Sequence, residues 1–195
     1  MGKTYLIADT HFGDAAIWRY EGRPFASVEE MDACLIRNWN ETVAPEDRVF
    51  LLGDICFYDD EKTKEIISSL YGEKLMIMGN HDREFRDVKG WLSCGMDFVS
   101  DWPIMLENWF WLSHEPLYMT RTMPYVNIFG HVHGNPQYYD VTRQSFCVCA
   151  ERIGYRPILW DEVKQKIKQA GLNQQLEQPK ERLESRPAEE SFANI

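Results

Sequence analysis

Leu75-Met76-Ile77-Met78-Gly79-Asn80-His81-Asp82 is the stretch on which the fold turns. Four apolar residues run together, a glycine closes the run, and three polar side chains follow. A short continuous apolar run closed by a turn residue reads as a strand buried on both faces. The same arrangement recurs along the chain. Tyr5-Leu6-Ile7-Ala8 runs into Asp9-Thr10-His11, and Val49-Phe50-Leu51-Leu52 runs into Gly53-Asp54. Phe110-Trp111-Leu112-Ser113 runs into His114, and Val126-Asn127-Ile128-Phe129 runs into Gly130-His131-Val132-His133. Five strands are predicted, each delivering Asp, Asn or His to the loop at its carboxyl end. That is where α/β proteins place ligand sites.

The segments between these runs predict helices. Ser27-Val28-Glu29-Glu30 has the capping-box pattern. Val28, Met31, Leu35, Trp39 and Val43 follow at spacings of three or four, so a helix is expected to stop before Pro45. Further helices are expected over about 61–70, 84–92 and 161–171. Phe12 to Phe25 reads as a long loop. Past Gly171 the composition turns to Glu, Gln and Pro without periodicity. The chain is therefore divided into one domain, residues 1–171, and a polar tail, 172–195, mobile or loosely docked.

Composition narrows the function classes. Of 195 residues, 44% are hydrophobic and 13% aromatic, enough for a sizeable core. Lys and Arg total 21 against 31 Asp and Glu, a net charge of -10. With no basic run, no stable nucleic-acid partner and no polybasic membrane contact are expected. No stretch of 18 apolar residues suggests a membrane span, and the amino end does not read as a signal peptide. Five cysteines without framework spacing point to a reducing cytoplasm. Cys147 and Cys149 alternate on one strand face and read as packing. Cys34, Cys56 and Cys94 read as core fillers.

The donors in the strand-end clusters are Asp9, His11, Asp54, Asn80, His114, His131 and His133. All offer nitrogen or oxygen, and no thiolate lies among them. Such a set suits Mn²⁺ first, with Fe, Zn²⁺ or Ni²⁺ as alternatives. Seven ligands exceed the needs of one ion but suit two ions sharing one ligand, and the Asp54 carboxylate is the candidate bridge.

Asp9-x-His11, Gly53-Asp54, Gly79-Asn80-His81-Asp82, His114 and Gly130-His131-x-His133 resemble, in order, the five blocks of the calcineurin-like metallophosphoesterases. The resemblance spans about residues 4–160. Thr10-His11-Phe12-Gly13, Gly22-Arg23-Pro24-Phe25 and Ile36-Arg37-Asn38-Trp39-Asn40 are similar to that family's small bacterial and phage branch. The resemblance implies an α/β fold of two facing mixed β-sheets flanked by helices. It implies that Asp9, His11 and His133 hold one metal, Asn80, His114 and His131 the other, with Asp54 and a hydroxide bridging them. It implies that His81 serves the leaving oxygen, with Asp82 nearby to orient its ring. A surface carboxylate or a partner of Arg83 is the alternative reading of Asp82.

The implied function is hydrolysis of a phosphoester, with a small phosphodiester or nucleotide favoured. A phosphomonoesterase and a nucleotide pyrophosphohydrolase are the alternatives, and a non-catalytic scaffold is the reading from another class. Asp14 follows Phe12-Gly13 where similar chains often carry His. Ile55-Cys56-Phe57-Tyr58 replaces the Asp-Arg-Gly continuation of the serine/threonine protein phosphatases, which argues against a protein substrate. Neither a capping domain nor a DNA-binding extension of the kind found in larger repair nucleases is expected. Trp18, Arg19, Tyr20 and Arg23 have two readings, substrate contact or packing of their loop. On the first, Arg23 binds a substrate phosphate that is not the one cleaved.

Overall fold

The computed structural model describes residues 2–176. The predicted strands form as β1 Thr4–Ile7, β2 Arg48–Leu51, β3 Glu73–Ile77, β6 Phe110–Leu112 and β7 Val126–Phe129. Five shorter strands complete the sheets: β4 Phe98–Ser100, β5 Ile104–Leu106, β8 Val141–Thr142, β9 Ser145–Cys147 and β10 Ile158–Leu159. One sheet has the order β10-β1-β2-β3-β4, parallel except for β10. The other has the order β5-β6-β7-β9-β8, with a parallel centre and antiparallel edges. The expected fold class is therefore present: two facing mixed sheets with flanking helices.

Side-chain alternation explains why the runs are apolar throughout. Leu6, Phe50 and Ile77 point inward and meet Leu112, Ile128 and Phe146 of the second sheet. Tyr5, Ile7, Val49, Leu51 and Met76 point the other way, against the helices. There they meet Met31, Leu35 and Trp39 of α2 (Val28–Thr42), Ile66 and Ile67 of α3 (Asp60–Ser69), and Trp91 of α5 (Val88–Ser93). Trp160, Val163 and Ile167 of α6 (Trp160–Leu176) join the inter-sheet core.

Helix α2 starts where its cap predicts, with the Ser27 hydroxyl accepting from Glu30 N. The Glu30 carboxylate accepts from Ala26 N rather than closing on Ser27. Three expectations change. The loop over 12–25 contains a short helix, α1 (Ala15–Tyr20), capped by Asp14. The helix expected over 84–92 is two, α4 (Asn80–Phe85) and α5, because the Asp87 side chain caps a new start at Gly90 N. The last helix continues through Gly171 to Leu176, since one glycine inside a helix costs only about 1 kcal/mol. Of the predicted tail, residues 177–195 lie outside the described residues.

Candidate metal centre

The carboxyl ends of β1, β2 and β3 meet those of β6 and β7 at one edge of the sandwich. Their loops are joined by backbone hydrogen bonds: Asp9 N to Gly53 O, His11 N to Asp54 O, and Gly130 N to His114 O. Two glycines allow this closeness. A Cβ at Gly79 would collide with the Asp54 carboxylate, and one at Gly130 would lie 2.5 Å from Asp9 Oδ2.

The predicted donors gather in two groups. Asp9, His11 and His133 bring their ligand atoms together, as do Asp54, His114 and His131. Asn80 joins the second group, its Oδ1 lying 3.0 Å from His114 Nε2. Asp54 stands between them, with Oδ2 at 3.8 Å from His11 Nε2 and 3.3 Å from His114 Nε2. Asp9, His11, Asp54 and His114 are buried, whereas His133 is partly open and His131 exposed.

Each of three imidazoles is held at Nδ1 by a partner that the sequence reading did not assign. His11 Nδ1 meets Asp14 Oδ2 at 2.9 Å, His114 Nδ1 meets Leu52 O at 2.8 Å, and His133 Nδ1 meets Glu151 Oε1 at 3.0 Å. Such contacts fix tautomer and ring orientation and leave Nε2 free as a ligand. Asp14 was visible only as a departure at the site's entrance. Glu151 lies 128 residues from its partner Arg23 and 18 from His133, with no local pattern to reveal it.

The electrostatics fit a cation. Burial lowers the His11 pKa despite the Asp14 contact, which favours the neutral imidazole. Its Nε2 is buried and has no hydrogen-bond partner. Around His114 Nε2 crowd Asn80 Oδ1, Asp54 Oδ2 and His131 Nδ1, the last at 3.1 Å. With Nδ1 donating to Leu52 O, a neutral His114 would face Asp54 lone pair to lone pair. Burial alone would lower its pKa, but the Asp54 hydrogen bond and nearby carboxylates push it up to about 9. The same oxygens and nitrogens that attract a proton there suit a divalent ion.

The profile of the calcineurin-like phosphoesterases matches residues 2–165. The chain belongs to that family. The uncharacterized protein MJ1445 of Methanocaldococcus jannaschii is 34% identical over 175 residues, covering 83% of this chain and 89% of that protein. The Gene 66 protein of Mycobacterium phage L5 is 37% identical over 89 residues, 42% of this chain and 41% of its own length. A solved structure, a protein of unknown function, AQ665, from Aquifex aeolicus, has the same fold at a TM-score of 0.66. It is 24% identical, and the match covers 85% of this chain and 99% of that one. A metal-dependent phosphoesterase is the activity that this calcineurin-like family and the two donor clusters support.

The geometry bears on two role assignments. Arg23 is buried, and its guanidinium donates to Asp9 O, Thr10 O and Glu151 Oε1. A side chain enclosed in this way ties the β1 loop to Glu151, which is the packing reading of Arg23. Asp82 is also buried, so it is not a surface carboxylate. It accepts from the backbone nitrogens of Asp54, Ile55 and Gly79, which joins the β2 and β3 loops. Burial and the Asp54 charge raise its pKa to about 6 against those bonds. The acid beside the His81 ring is instead Glu84, with Oε2 at 3.7 Å from Nδ1. His81 itself lies at the site, its ring 6.0 Å from that of His11 and its backbone N donating to Asp54 Oδ1. Cys147 and Cys149 pack with Phe129 and Val132, as expected of core residues.

Proposed function

We propose that the protein hydrolyses a small phosphodiester or nucleotide at a centre of two divalent metal ions. Asp9, His11 and His133 would hold one ion, Asn80, His114 and His131 the other, and Asp54 both. The observation that carries this reading is His11 Nε2, a buried lone pair without a hydrogen-bond partner, grouped with Asp9 and His133 and 3.8 Å from the Asp54 carboxylate. Bound there, divalent cations supply Lewis-acid charge to a phosphoester and lower the pKa of a bound water. The absence of thiolate donors favours Mn²⁺.

The protein's own groups then have separate tasks. Asp14, Leu52 O and Glu151 aim the three imidazoles. His81 has a side chain 41% exposed, so it can approach a bound ester and donate to the leaving oxygen. Glu84 lies where it can hold the His81 ring. The complete donor set and His81 speak against a scaffold without catalysis. A net charge of -10 argues against nucleic acid as a stable partner, and five free cysteines suit the cytoplasm. Among the described residues, no helix is long and apolar enough to cross a membrane.

His81→Ala tests the assignment. It should retain both metals by elemental analysis and lose about 10²–10⁴-fold in rate on an ester with a poor leaving group. The loss should be smaller on a nitrophenyl ester, whose leaving group needs no proton. Equal losses on both would assign His81 to phosphate positioning. A chain that binds no divalent metal and hydrolyses no monoester, diester or pyrophosphate would refute the reading.

A further inference from the structure

We infer that the cleft beside His81 is a subsite for the uncharged nucleobase of the substrate, with a charged lining that repels a further phosphate along it. This rests on the phosphoesterase reading above and names the substrate class for that same site.

The cleft, about 590 Å³, starts at Phe57 and runs between Phe85 and the first turn of α3. Phe57 connects it to the chemistry. Its ring stacks on His11 at 4.9 Å and 20°, and lies 5.4 Å from His81. Phe85, four residues after His81 on α4, meets Phe57 edge to face at 5.0 Å. Phe85 is 46% exposed, so one side of a large ring faces water at the mouth of the site. Nothing in the core requires it there. A planar ring entering beside the reacting phosphate finds these two aromatic walls.

The charges select the ring. Asp59, Asp60 and Glu61 form the opposite rim of the cleft. The cation that lines it is Arg86, whose side chain is 5% exposed. Its guanidinium donates to Asp60 Oδ1, Tyr58 O and Thr63 Oγ1, and its Nη1 is sealed from solvent. Three carboxylates against one enclosed guanidinium repel a second phosphate or a polynucleotide backbone. They accept hydrogen bonds from the amino group of a base such as adenine. A nucleoside monophosphate unit therefore fits, and a polyphosphate lying along this wall does not.

The test uses the Mn²⁺-loaded full chain and calorimetry with non-hydrolysable probes. These are methylphosphonate, the 5′-methylenephosphonate analogue of AMP, and α,β-methylene-ADP. Stacking on aromatic side chains should make the AMP analogue bind about 5- to 100-fold more tightly than methylphosphonate. Phe85→Ala should bring that ratio close to one. Phe85 is half exposed, so this variant is expected to fold, and its melting curve checks that it does. α,β-Methylene-ADP should bind no better than the AMP analogue to the wild type, and better to Glu61→Lys. Methylphosphonate binding without any gain from adenosine would overturn the subsite and leave the phosphoesterase reading standing. So would tighter binding of α,β-methylene-ADP to the wild type. Failure of every phosphonate to bind would take down both.

Discussion

Glu151→Ala is the perturbation whose size follows most directly from the structure. One oxygen, Oε1, accepts from Arg23 Nε at 2.9 Å, Arg23 Nη2 at 2.6 Å and His133 Nδ1 at 3.0 Å. The Arg23 side chain is 0% exposed and that of Glu151 11%, so solvent screening is slight. Removing one partner of a buried pair leaves the other charge uncompensated and costs about 3–5 kcal/mol. For a domain of this size that lowers Tm by roughly 6–20 °C. The double variant Arg23→Met/Glu151→Leu should recover part of this, because no orphaned charge remains. It should not recover metal affinity, which is expected to fall about 10–100-fold once His133 Nδ1 loses its partner. The pH dependence has a definite sign. Burial acts to raise the Glu151 pKa, but the His133 hydrogen bond and the Arg23 charge pull it down to about 2. A carboxyl depressed on folding stabilises above its unfolded pKa, near 4.5, and that contribution is lost as pH falls toward 2. Melts of metal-free wild type and Glu151→Ala should therefore differ fully at pH 7, and the gap should narrow below pH 4.5. A gap under about 1 kcal/mol at pH 7 would refute the argument from the buried pair.

Asp82→Asn keeps the shape of the side chain but only one acceptor oxygen, while three backbone N–H groups point at it. One of them is left unpaired in the interior, at a cost of about 1–3 kcal/mol in chemical denaturation, and an unchanged midpoint would contradict that role. Asp14→Ala removes both the His11 partner and the cap of α1, since Oδ1 accepts from Ala16 N and Ile17 N. Asp14→Ser should restore the cap, about 0.5–2 kcal/mol, without restoring Mn²⁺ affinity, as calorimetry on both variants would read.

The strands that build the site were legible because β1, β2 and β7 are buried along nearly all their length, and β3 and β6 toward their carboxyl ends, so each carries an apolar run. The edge strands were not, because β8 and β10 have only two residues each and β4 and β5 three, too few for a period. The donors were equally plain, since each sits where an apolar run ends. Their supports followed no such rule. The path from Arg23 to Glu151 to His133 closes only in three dimensions. Arg23 and Asp82 have the residue types of substrate contact and acid–base chemistry, and only burial reveals that backbone groups occupy them. Asp14 lay in plain view, three residues past His11, and its two roles as helix cap and imidazole partner share one side chain.

Those supports have a physical reason to exist. Asp9, His11, Asp54, His131 and His133 all adopt positive φ, between 45° and 69°. Left-handed backbone at non-glycine residues costs about 1–2 kcal/mol each, so five such positions together cost roughly 5–10 kcal/mol. That is as large as the whole net stability of an ordinary domain. Only an enclosure of satisfied hydrogen bonds can hold the loops in that state. Arg23 binds the carbonyls of Asp9 and Thr10, Asp82 binds the N–H groups of Asp54 and Ile55, and the Asp9 carboxylate accepts from His131 N. Arg23 and Asp82 are therefore placed where the backbone is strained, and they hold it so that the ligand side chains converge. A glycine in place of a donor would relax the backbone and lose the ligand, whereas removing Arg23 or Asp82 would keep every ligand and let the loops relax away from one another.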